Sequence, residues 1–204
     1  SIVEETGCEK VNIIAHSKGG LDSRYAISRL GMDEFVASLT TVNTPHKGCA
    51  FVQHLLDTLP EPIIQWTARK YQSIFTKLGD REPDFLAGVK DLRADACAKF
   101  NEETPDKEGV LYQSTTSVMR GAFSAPFPLC ISYGLVKRYD GGKNDGLVNT
   151  TTAQWGEFLG VQEASGKRGI SHGDMIDLMR EDIPGFDVPE FYVDLVHKLK
   201  DRGL

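Results

Sequence analysis

The 204-residue sequence lacks several features that would point to common classes of function. No apolar run is long enough to span a bilayer. Four cysteines stand far apart, at Cys8, Cys49, Cys97 and Cys130. They form no Cys-x-x-Cys pair and have no zinc-ligand spacing, so four free thiols are expected. There is no excess of positive charge: 23 basic and 29 acidic residues are mixed along the chain, giving −6. That balance excludes nucleic acid as an expected partner, but leaves contact with a lipid surface through apolar area open. No repeat, low-complexity tract or leader-like segment is visible, and Ser1 does not read as a natural start.

What is present is ordinary globular composition in one expected domain, residues 1–204. Val11–His16 is short, apolar and β-branched, and reads as a buried parallel strand. Helical residues resume after Gly20, and Val36–Val42 is a second buried strand closed by Thr44-Pro45. Strand, helix, strand is a βαβ unit, so the expected fold class is α/β with a mostly parallel sheet. Cys49–Asn101 then changes character. It reads as several helices, with Ile63, Ile64, Trp66, Tyr71, Ile74, Phe75 and Leu78 at helical spacing, and is expected to form a cap or lid insertion. Plain core packing would produce the same stripe. Strand signals return at Val110–Val118 and near Ile131–Val136, and a terminal helix is expected from about Pro189 to Lys200.

Between the first strand and helix lies Ala15-His16-Ser17-Lys18-Gly19-Gly20. A serine hydroxyl needs a base and an oxyanion site before it becomes a useful nucleophile. A tight strand-to-helix turn flanked by small residues exposes the hydroxyl. It also aims the next backbone N–H, that of Lys18, at a developing oxyanion. The usual pattern is G-x-S-x-G, and Ala15 is the smallest departure from it. An acid and a histidine should follow in that order. Asp145 in Asn144-Asp145-Gly146-Leu147-Val148 and His172 in Ser171-His172-Gly173-Asp174 satisfy it. Asp140 is a rival acid in a Gly-rich turn. His16 and His46 are expected near the site in packing roles, and His54 and His197 within helices.

The segment Val11–Leu21 followed by Ser23-Arg24-Tyr25 resembles the nucleophile segment of bacterial triacylglycerol lipases. So do Val42–Gly48, Phe100-Asn101-Glu102 with Thr104-Pro105-Asp106, Asn144–Val148 and Ser171–Asp174, in the same order. The resemblance implies the later part of an α/β-hydrolase fold and ester hydrolysis through an acyl-enzyme, with Ser17, Asp145 and His172 as triad. It implies a lid over roughly Asp57–Asp80 and an ester or lipid substrate met at a lipid–water interface. No cofactor is required for the chemistry. An acyltransferase, a phospholipase with the same triad and a non-catalytic hydrolase-like module are the alternatives. The resemblance further implies a structural calcium near His172, with Asp174 and the carbonyls of Leu178 and Asp182 as ligands. Its second aspartate should precede Asp145, yet residues 109–139 hold no Asp or Glu. It also implies strands and a second oxyanion donor ahead of Ser1, so a segment that hydrolyses esters poorly alone is the expectation.

Overall fold

The computed structural model describes residues 2–77, 81–124, 129–178 and 180–204, without the side chains of 70, 71, 73–75 and 77. Its frame is a four-stranded parallel sheet in the order β1 (Val11–His16), β2 (Val36–Val42), β3 (Leu111–Ser117) and β4 (Glu157–Gln162). Parallel strands need crossovers, and helices supply them. A first helix, α1 (Ile2–Thr6), precedes the sheet, and α2 (Lys18–Arg29) joins β1 to β2. Among the described residues, four helices lie between β2 and β3: α3 (Ala50–Thr58), α4 (Glu61–Lys77), α5 (Phe85–Lys90) and α6 (Ala94–Glu103). Helix α7 (Leu129–Tyr139) lies between β3 and β4, and α8 (Val188–Asp201) closes the chain.

Alternation along the strands divides the core. Ile14 and Val42 face a cluster with Ile170, Met175, Phe191 and Leu195, under α8. Ile13, Ala15 and Leu39 face Ile27 of α2, Tyr112 and Trp155 on the other side. A third cluster joins Phe51 and Val52 of α3 to Val136 of α7. Strand β1 is at the sheet margin and only half-buried, whereas β2 is almost wholly buried.

The structure corrects two expectations. Ile131–Val136 is not a strand but part of α7. Val136 is fully buried and Ile131 is exposed, with exposure recurring at Gly134 and Lys137, which is a helical period. Strand β4 has no counterpart among the expected strands. Its sequence places only Phe158, Leu159 and Val161, broken by Gly160, between polar ends, and it lies at the margin of the sheet with Glu157 exposed. All four cysteines are free, with Cys49 and Cys97 buried. Burial pushes the Cys97 thiol up to about 11 and raises that of Cys49 as well. Helices form in the span expected as a lid; its residues 78–80, with the side chains of Tyr71, Ile74 and Phe75, lie outside the described residues.

Candidate active site

The turn after β1 is built by close approach. Ser17 has φ 55° and ψ −134°. Residues other than glycine rarely adopt that backbone region. Its N–H donates to the Val42 carbonyl at 2.9 Å, and its own carbonyl accepts from Thr44 Oγ1 at 2.7 Å and Gly20 N at 3.0 Å. A Cβ on Gly20 would lie 2.2 Å from Thr44 Oγ1. Only glycine lets α2 begin this close to the loop after β2. Gly20→Ala is therefore expected to cost about 2 kcal/mol of stability from overpacking, read as a lower denaturant midpoint. An unchanged midpoint would contradict the close approach.

The expected partners meet Ser17. His172 Nε2 lies 2.9 Å from Ser17 Oγ, and His172 Nδ1 lies 2.7 Å from Asp145 Oδ2. Asp145 is fully buried. Its Oδ1 accepts from the Leu147 and Val148 backbone N–H groups at 2.8 and 2.6 Å. With Asp145 accepting the hydrogen bond from Nδ1–H, Nε2 is left to accept from the Ser17 hydroxyl. The two loops are also joined by backbone, since His172 N donates to Asp145 O at 2.8 Å. Asp145 sits in the β3–β4 connection, whose Asn144 carbonyl accepts from Met119 N at 2.9 Å, just past the end of β3. His172 follows β4, so each group hangs from the carboxyl end of the sheet, where α/β folds gather their sites. Lys18 opens α2, and its N–H belongs to a first turn with no intrahelical acceptor. Its side chain bridges Asp22 at 2.6 Å and Asp91 at 3.3 Å, tying the turn to the segment after α5. Burial works against the Lys18 charge, but Asp22 and then Asp91 hold its affinity for the proton above the ordinary lysine value.

The other groups singled out in the sequence have different surroundings. Asp140 is spent as a helix cap. Its carboxylate accepts from Ala50 N at 2.7 Å and Phe51 N at 3.1 Å, at the start of α3. His16 Nε2 donates to the His172 carbonyl at 3.0 Å, with the two rings tilted at 4.6 Å. His46 is buried between Thr41 Oγ1 at 2.9 Å and Arg24, and stacks on Trp155. His54 stacks on Tyr139, and His197 is exposed on α8. Asp174 accepts from Ser171 N and from Arg168.

Burial holds the His16 ring down to about 4, helped by His172. Burial, then Arg24 and Lys47, hold His46 down to about 3. Both imidazoles bind a proton near pH 6.5 in the unfolded chain. Between pH 6.5 and about 4 the unfolded state thus binds more protons than the folded one. The stability contributed by these groups is present above pH 6.5 and lost as pH falls. The expected loss is about 4 kcal/mol from pH 7 to pH 5. Denaturant midpoints across that range check it, and a flat profile would contradict both burials.

One cluster joins residues that the sequence places only within the motifs of the resemblance, with no role read for them. Arg24 of α2 is 1% exposed. It donates to Asn101 Oδ1 at 2.7 Å and to the Thr104 carbonyl at 3.2 Å, and its guanidinium lies 3.5 Å from the Trp155 ring centroid. It thereby fastens the nucleophile helix to the end of α6.

The parallel sheet with its strand–serine–helix turn is an α/β-hydrolase fold. Solved structures of similar fold include the Staphylococcus hyicus lipase, with TM-score 0.67 and 16% identity over 93% of this chain and 69% of that one. A Bacillus licheniformis lipase in mature form has TM-score 0.61 and 22% identity over 87% of this chain and 64% of that one. Among curated proteins, the chain is similar to the triacylglycerol lipase of Pseudarthrobacter phenanthrenivorans, 34% identical over 111 residues, 51% of this chain and 34% of the relative. It is similar to triacylglycerol lipase 2 of Saccharomyces cerevisiae, 27% identical over 209 residues, 95% of this chain and 58% of the relative. The chain thus spans about a third to three-fifths of the length of these curated relatives. No family model matches it.

Proposed function

We propose that this chain carries the catalytic groups of a serine ester hydrolase acting on carboxylic esters, with triacylglycerols as the substrate class. The observation that carries the reading is the chain of hydrogen bonds from Ser17 Oγ through His172 to buried Asp145, set on a serine with φ 55°. Ser17 Oγ attacks the ester carbonyl while His172 Nε2 takes its proton. His172 then returns that proton to the departing alkoxide, leaving an acyl-serine. Water, deprotonated by the same nitrogen, attacks the acyl carbon, the bond to Ser17 Oγ breaks as His172 returns the proton to that oxygen, and the acid departs. Asp145 holds the imidazole in the productive tautomer and stabilises its charged form. The Lys18 N–H, at the positive end of α2, is the oxyanion donor within this chain. His16, kept neutral by burial, places no positive charge beside the imidazolium that forms.

The lipid preference rests on the curated relatives and on the helical segment between β2 and β3. On α4, Ile63 and Trp66 expose 48% and 58% of their surfaces. Such an apolar display is suited to a lipid surface. With the Lys18–Asp91 bridge beside the turn, this segment is assigned as a lid. No helix among the described residues is long and apolar enough to cross a membrane.

A fluorophosphonate probe tests the reading directly. Incubated with the full-length protein, it is expected to label Ser17, found by peptide mass mapping, and to abolish release of acid from triglyceride emulsions. Labelling elsewhere, or none, would overturn the assignment. Preferential transfer of the acyl group to an added alcohol would move the protein to the acyltransferases.

A further inference from the structure

Two residues beyond His172 the structure departs from what the lipase resemblance implies. A calcium there would take about six to eight oxygens, carboxylates among them, and Asp174 would be one ligand. The side chains do not fit such an ion. Asp174 is 5% exposed and both its oxygens are committed. Oδ2 accepts from Ser171 N at 2.7 Å, and Oδ1 accepts from Arg168 Nη2 at 3.0 Å. The same Nη2 donates to Glu181 Oε2 at 2.8 Å, and Arg168 Nε donates to the Ser124 carbonyl at 3.1 Å. Two carboxylates and a backbone carbonyl, an oxygen set of the kind a hard cation takes, converge instead on a guanidinium.

The arginine is firmly mounted. Its carbonyl accepts from Arg120 N at 3.1 Å, and Ile170 N donates to Val118 O at 2.8 Å. Between them Gly169, at φ 76°, bridges Met119. A Cβ on Gly169 would lie 2.5 Å from the Val118 carbonyl. Arg168 is therefore sewn to the segment that leaves β3. Its guanidinium reaches across to the loop that presents His172. Outside it, Arg120 and Lys167, with Arg168 and Glu181 themselves, line an open hollow of about 670 Å³ whose three cations outnumber its one carboxylate. Their positive charge opposes entry of a divalent cation.

We propose that Arg168 is a positioning residue for His172. It acts as a built-in cation that draws Asp174 and Glu181 together and sets the histidine loop, so that no bound metal is needed there. The proposal rests on the reading of His172 as the base. It predicts that a charge at 168, and not an ion from solvent, fixes the loop.

Thermal unfolding and ester kinetics of the full-length protein test it. The unaltered protein is expected to keep the same Tm in excess calcium and in excess chelator. Arg168→Met, which keeps the bulk and removes the charge, is expected to lower Tm by about 5 °C. It should also lower kcat about tenfold with KM unchanged, since a small displacement of the base slows chemistry without touching substrate. Arg168→Lys restores a charge without the fork and is expected to regain most of the lost kcat. A Tm of the unaltered protein that rises with calcium or falls with chelator would overturn the proposal. So would an Arg168→Met protein with unchanged Tm and kcat, or an Arg168→Lys protein no better than it. If Arg168→Met does not fold, the calcium, chelator and Arg168→Lys measurements still decide. Absence of ester turnover in the unaltered protein would strike the hydrolase reading alone and leave the thermal measurements decisive.

Discussion

Ser17→Ala in the full-length protein is expected to lower kcat on aryl esters by about 10⁴- to 10⁶-fold, with little change in KM. The alanine keeps the turn but has no oxygen to attack with. His172 then has no hydroxyl to deprotonate, and only the oxyanion donor and binding remain. Asp145→Asn is expected to cost about 10⁴-fold by a different route. An amide can donate to Nδ1, which would leave the proton on Nε2, facing Ser17. Folding should survive the loss of the hydroxyl, because Ser17 Oγ makes one side-chain hydrogen bond, to His172. Steady-state kinetics beside an unfolding curve separates the effects. Turnover of the Ser17→Ala protein within tenfold of the unaltered protein would end the nucleophile assignment.

Arg24→Leu is expected to be the most damaging substitution for stability away from the triad. The guanidinium is a buried cation held by neutral acceptors and by the face of Trp155. Burial lowers its affinity for the proton from the ordinary arginine value to about 10, yet that leaves it charged at neutral pH. Leucine would leave Asn101 Oδ1 and the Thr104 carbonyl without their donor and Trp155 without its cation. Lost charged hydrogen bonds and the cation–π contact together cost about 3 kcal/mol, or about 10 °C in Tm for a chain of this size. Calorimetry checks it. Unchanged Tm would mean that apolar packing can replace the network, as it does for some buried ion pairs.

The sequence and the structure agree where a local pattern carries the information. Strands β1 and β2 are rich in β-branched residues, and α8 opens with Asp187 as its cap and repeats its buried residues at Phe191, Leu195 and Leu199. The order serine, acid, histidine is likewise a property of the chain itself. Legibility fails where partners lie far apart. Arg24 stands in a motif of the resemblance, but its burial and partners are not legible there, because its acceptors stand 77 and 80 residues away. Arg168 reads as one of two adjacent basic residues in a turn, with its two carboxylates 6 and 13 positions on. Helix α7 is obscured because Ile131, Leu135 and Val136 carry the β-branched and apolar character of a strand. The burial of Leu135 and Val136 follows contact with α3, which the local sequence does not announce. Strand β4 is hidden because Glu157 pairs with Arg202 and Gln162 with Thr115, so polar partners replace an apolar run.

The Ser17–His172 hydrogen bond spans 155 positions of the chain, and the Asp145–His172 bond spans 27. Contacts between distant positions form late, because the chain entropy they cost is repaid only when the intervening structure is in place. Reactivity of Ser17 is therefore a clock for folding. During refolding, helix signal should return first, from local segments such as α2 and α8. Susceptibility of the serine to a covalent probe should appear only when the loop after β4 has closed over the turn after β1.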